Sequence, residues 1–146
     1  MTLAHDTDPP PLDADHLNQR LADWRKRVAD LLEQLTDWGS QEGYIVRSGP
    51  PITMNEQLMR ENGIEAMELP TLEIGNNAGF VAKVIPYGLW IIGGNGRVDL
   101  KTSQGVFKII DLAANFEEPR WKIGGPNVRS GPDLDREVFL SVLSGG

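Results

Sequence analysis

Seven apolar residues, Leu17, Leu21, Trp24, Val28, Leu31, Leu35 and Trp38, recur at alternating intervals of four and three. A strand cannot keep that spacing on one side, because its side chains change face at every residue, whereas an α-helix brings residues three and four apart onto one stripe. The pattern predicts an amphipathic helix over 13–38. Asp13 is the expected N-cap, Asp15 sits in the first turn where the helix dipole favours negative charge, and Gly39 is the expected C-terminal glycine. Each seam side chain contributes roughly 1.5–3 kcal/mol when fully buried, so together they rival the net stability of a whole domain. The seam has to be covered.

The flanking residues say by what. With Leu21, Val28 and Leu35 at the a positions of a heptad, Arg20, Arg27 and Gln34 stand at g, and Asn18, Arg25 and Leu32 at e. A parallel self-pair would oppose Arg20 to the Arg25 of a second copy with no acid at e or g to relieve it, and an antiparallel pair fares no better. Leu32 also widens the stripe beyond a coiled-coil seam. The helix is therefore expected to dock on the protein's own sheet, near Glu56, Glu61, Glu65, Glu68 and Glu73, or on an acidic partner. A homodimeric coiled coil is not favoured.

Beyond the helix the chain reads as short strands. The 16 glycines and 10 prolines in 146 residues imply many turns. Thr53 followed by Glu56 has the form of a capping box, and Asn62-Gly63-Ile64 that of a Schellman stop over Met59, so a short helix is expected over 54–62. Strand signals then run over 67–123: Met67 to Ile74 with Pro70 marking an edge or a break, Phe80 to Ile85, Leu89 to Ile92, Arg97 to Thr102, Val106 to Leu112 and Trp121 to Ile123. Gly75 to Gly79, Gly93 to Gly96 and Ser103 to Gly105 supply turns. Turns this short force antiparallel pairing, since a parallel crossover needs about a dozen residues. Leu134 to Leu143, capped by Asp133, is expected as a last helix in preference to a strand. The fold class is α+β, a long N-terminal helix and short helices packed on an antiparallel meander of five or six strands. One domain over 13–146 is expected, after an extended or disordered acidic, proline-rich arm over 1–12.

Composition then excludes function classes. No cysteine is present, which removes disulfides, thiolate catalysis and cysteine-held metals and fits a reducing compartment. The first residues have neither the basic nor the apolar run of a signal or transit peptide, and no apolar stretch is long enough to span a bilayer, so a cytoplasmic location without membrane contact is expected. A formal charge of -7 repels nucleic acid at long range. The acids concentrate early: residues 1–43 hold nine acids and four bases, whereas 79–122 hold six bases and four acids.

No catalytic constellation stands out. His5 and His16 are the only histidines and both precede the strands, which argues against a His-dependent triad or metal site. Gly93-Gly94-Asn95-Gly96 leads into a strand and not a helix, so it is a turn and not a phosphate loop. Asp99-Leu100-Lys101 has the D-x-K form of metal-dependent nucleases but lacks a second acid close upstream. Glu117-Glu118 beside Pro119 reads as surface charge. No catalytic residue, metal ligand or cofactor is assigned.

Candidate binding residues can be named. Tyr87, Trp90 and Trp121 among Arg97, Lys101 and neighbouring bases have the composition of a platform for single-stranded nucleic acid or a peptide, although aromatics in a chain with ten of them are more often core, and Arg20, Trp24, Arg25 and Arg27 line the helix seam. The expected function is a non-catalytic cytoplasmic module that binds another protein, of the adaptor, inhibitor or immunity kind. The acidic chain suits a basic partner. Alternatives are a small metal-dependent hydrolase or ligand-binding domain centred on Asp99 and Lys101, and a carrier protein conjugated through the terminal Gly145-Gly146.

Overall fold

A computed structural model describes residues 14–91, 93–126 and 131–145. The expected arm over 1–12 and the Asp13 cap lie outside the described residues.

Helix α1 runs Ala14–Gln41 and buries Leu17, Leu21, Trp24, Val28, Leu31, Leu32 and Leu35, with Trp38 partly buried. It passes through Gly39, the glycine expected to end it. The stop is one turn later at Gly43, whose φ of 89° suits glycine. There the amide of Gly43 donates to Ser40 O and that of Tyr44 to Gly39 O, a Schellman closure. Gly39 serves contact instead, because a Cβ there would lie 3.1 Å from Val46 Cγ2 on the next strand.

The chain continues as β1 (Ile45–Ser48), β2 (Ile52–Met54), α2 (Gln57–Glu61), β3 (Met67–Leu69), β4 (Leu72–Asn76), β5 (Gly79–Gly88), β6 (Arg97–Thr102), β7 (Gly105–Asp111), β8 (Trp121–Gly124) and α3 (Arg136–Leu143). Six strands form one antiparallel sheet in the order β1-β4-β5-β6-β7-β8, and β2 pairs with β3 in a separate two-stranded ribbon. The α+β class and the antiparallel meander are thus present. Pro70 is a break: β3 and β4 on either side of it belong to different sheets.

Three local expectations are corrected. The Thr53–Glu56 capping box does not form, because Thr53 is held in β2 opposite Glu68, and the Glu56 side chain turns to Leu89 and Trp90. Helix α2 is consequently shorter than expected, although its Schellman stop at Gly63-Ile64 is as read. Leu89 to Ile91 is not a strand; it retains only an isolated bridge from Ile91 to Gly94, and Ile92 lies outside the described residues. The last helix is capped by Asp135, which accepts from the Val138 amide at 2.9 Å. Asp133 instead bridges to Lys122, while Leu134 N donates to Trp121 O, so 132–134 cover the edge of β8.

The sheet has two unlike faces. Leu72, Ile74, Ala82, Val84, Val98, Leu100, Ile109 and Ile123 are buried with the α1 seam and with Phe139 of α3 in one core. The alternate positions point the other way: Arg47, Glu73, Lys83, Ile85, Tyr87, Arg97, Asp99, Lys101, Lys108, Ile110 and Lys122, with Arg47, Lys83, Tyr87 and Lys101 exposed. No helix of the described residues is long and apolar enough to cross a membrane.

Candidate binding surface

On the open face, register brings bases together. Lys83 of β5 stands directly opposite Lys101 of β6 on one side and Glu73 of β4 on the other, and neither lysine forms an ion pair among the described residues. Like charges placed directly across an antiparallel pair destabilise it. Three other bases on the face are matched, Arg47 with Glu73 at 3.6 Å, Lys122 with Asp133 at 3.1 Å and Arg97 with Asp99 at 2.7 Å, whereas Lys108 forms no ion pair among the described residues. The Arg97 guanidinium also lies over the Tyr87 ring, 3.9 Å from its centroid. Six outward bases therefore meet two outward strand acids, on a chain whose overall charge is negative. The acids are elsewhere, with Asp30, Glu33 and Asp37 exposed along α1.

A hollow of about 580 Å³ opens at the end of the sheet where the β5–β6 connection meets the first half of α1. Arg20, Trp90, Asn95 and Asn115 line it, together with apolar Leu89, Ile91, Leu112 and Ala113. Arg20 Nη2 donates to Asn95 Oδ1 at 2.7 Å, and its guanidinium carbon lies 5.8 Å from the Trp90 ring centroid. Partial burial pushes the Arg20 pKa down; Asp23 pulls it back, Arg27 adds to the depression, and Glu56 opposes it.

Two carboxylates hold these walls. Glu56 takes the amides of Leu89 at 2.9 Å and Trp90 at 3.3 Å. Asp111, fully buried, accepts from the amides of Ala113 and Arg120 through Oδ1 and from Arg27 Nη1 at 2.5 Å through Oδ2. Its backbone accepts from Asn95 N and donates to Gly96 O. Arg27 completes the knot with Asp23 Oδ2 at 2.6 Å and the carbonyl of Glu117. Gly96 permits the closure: its φ is 109°, and a Cβ there would run into the Trp24 ring, so the indole packs on bare backbone.

The residues expected to bind are thus divided. Tyr87, Arg97 and Lys101 share the open face, and Arg20 and Trp90 meet in the hollow. Trp24 is a core residue and Trp121 packs against it partly buried, with ring centroids 6.4 Å apart. Arg27 is buried in its ion-pair knot, while exposed Arg25 reaches Glu68 O at 3.4 Å beside a separate hollow. Asp99 commits both oxygens to Arg97, and the described residues contain no cluster of three or more groups able to hold a metal. Sequence reasoning does not find Glu56, Asn95 and Asp111 as positioning groups. Asn95 is visible there only as a turn residue, and nothing in local sequence marks Asp111 as buried. Comparison with protein-family models, curated proteins and solved structures finds no match.

Proposed function

We propose that this chain is a non-catalytic cytoplasmic module, of the adaptor, inhibitor or immunity kind, that binds another protein through the open face of its sheet. The observation that carries the reading is the unpaired Lys83–Lys101 opposition. Glu73, opposite Lys83 on β4, offsets part of the repulsion, and an acidic group laid across the two lysines would relieve the rest. An acidic protein surface fits better than a nucleic acid, because the net charge of -7 repels a long polyanion while two lysines can still accept a local cluster of carboxylates. The cytoplasmic placement rests on the absence of cysteine from the sequence.

The alternative readings gain less. A hydrolytic centre at Asp99 and Lys101 would have to break the Arg97 fork, and a carrier role would have to release Gly145, whose carbonyl accepts from Gln104 Nε2 at 2.7 Å. Gly146 lies outside the described residues. A basic partner is a second reading, supported by exposed Asp30, Glu33 and Asp37 on α1.

The test is affinity co-purification from the native cell at low salt, comparing the unaltered chain with Lys83→Ser/Lys101→Ser. A stoichiometric, acidic-surfaced partner retained by the former and lost by the latter is expected. A partner that survives that change but is lost on neutralising Asp30, Glu33 and Asp37 would move the interface to the helix. Recovery of no stoichiometric partner would overturn the module reading.

A further inference from the structure

We infer that the hollow beside Arg20 is a binding site for a carboxylate joined to an apolar body. This goes beyond the sheet-face reading and does not depend on it. The starting point is an imbalance among the arginines that lean into the structure. Arg27 has Asp23 and Asp111, and Arg97 has Asp99, but Arg20 forms no ion pair among the described residues. Its hydrogen-bond partner is a neutral amide oxygen, Asn95 Oδ1, while Asp23 and Glu56 lie near enough to favour its charge without pairing with it. A guanidinium carries five N–H donors in a planar fork that matches a carboxylate, and partial desolvation strengthens the attraction for an incoming anion.

The surroundings choose the kind of anion. Leu89, Ile91, Leu112 and Ala113 contribute apolar wall, so a hydrated inorganic ion would leave much of the hollow unused. Trp90 offers an aromatic surface, and its Nε1 is buried without a hydrogen-bond partner among the described residues. Glu56 holds the amides of Leu89 and Trp90, and Asp111 those of Ala113 and Arg120, so these parts of the lining are fixed by backbone hydrogen bonds before a ligand arrives. The carboxylate could belong to a free organic acid or to the C-terminal residue of a peptide, and the experiment separates them.

The isolated protein, labelled with nitrogen-15, is titrated with phenylacetate, with uncharged phenylacetamide, and with acetylated glycyl-glycyl-phenylalanine bearing a free carboxylate. The readout is the indole N–H resonance of Trp90, assigned by its loss in Trp90→Phe. Phenylacetate is expected to move that resonance saturably with a dissociation constant on the order of 1 mM. Phenylacetamide, and phenylacetate with Arg20→Gln, should each bind at least about tenfold more weakly, because a charge-assisted fork is lost. Tighter binding of the peptide would identify a C-terminus as the source, and tighter binding of phenylacetate a free acid. Equal binding of acid and amide, or no movement of the Trp90 resonance by either carboxylate, would overturn the inference. The acid-versus-amide comparison uses the unaltered chain and decides the matter even if Arg20→Gln fails to fold.

Discussion

Arg20 and Arg27 stand two turns apart on the same helix and occupy the same heptad position, yet the fold treats them oppositely. Arg27 is almost fully enclosed and satisfied by two carboxylates and a carbonyl. Arg20 is half-buried beside an open hollow, hydrogen-bonded to an amide oxygen, with Asp23 and Glu56 nearby but not ion-paired to it. The difference comes from what the sheet delivers to each level of the helix: the end of β7 brings Asp111 under Arg27, and the β5–β6 connection brings Asn95 under Arg20. A matched buried charge joins parts of a fold, while an unmatched one at a cavity is available for a ligand.

Breaking the matched member should have the largest effect. Asp111→Ala leaves Arg27 enclosed without its main counter-charge and frees the amides of Ala113 and Arg120, so urea denaturation should show a loss of about 3–5 kcal/mol. A loss below about 1 kcal/mol, the range of surface pairs, would mean that the knot does not tie helix, connection and loop together. Giving Arg20 the acid it lacks sharpens the comparison from the other side. Asn95→Asp is nearly isosteric and should raise stability at neutral pH by at most about 1 kcal/mol, because Asn95 is buried and desolvation of the carboxylate offsets part of the pairing. The introduced carboxylate has its pKa lowered by Arg20, so the gain is present above the ordinary carboxylate range and disappears as acid protonates it. The same change should abolish phenylacetate binding; retained binding would separate the hollow from Arg20. The smallest effect belongs to the sheet face, where Lys101→Glu turns a repulsion with Lys83 into an attraction. Thermal unfolding at low salt should show a gain of about 0.2–1 kcal/mol, shrinking as salt is added. A loss of stability would remove the claim that the lysine opposition costs the fold anything.

Much of this architecture is legible where a pattern repeats. The α1 seam is readable because burial on a helix imposes a period, and β6 because apolar and polar residue types alternate from Arg97 to Thr102, although Asp99 on the open face is itself buried under its pairing with Arg97. Single-residue signals serve less well. Gly39 has the residue type of a helix stop, but the stop falls where Gly43 can adopt positive φ, and Gly39 is needed for the close passage of β1. Thr53 and Glu56 have the spacing of a capping box, but strand pairing claims one and the amides of Leu89 and Trp90 the other. Of the binding residues, Tyr87 and Arg97 can be related through strand alternation and meander pairing. Arg20 and Trp90, far apart in the chain, cannot be paired that way.

The sequence by itself determined that the N-terminal segment is a helix with one stripe that has to be buried, and that strands joined by tight turns pair antiparallel. Both outcomes rest on local periodicity and turn length, which act over a few residues. Tertiary structure decided which face of the sheet the helix covers, which arginine acquires an acid, and that two lysines face each other on the open side. Those outcomes depend on register and packing between distant segments. A charge has no fixed meaning until the fold sets its distance from other charges and from water.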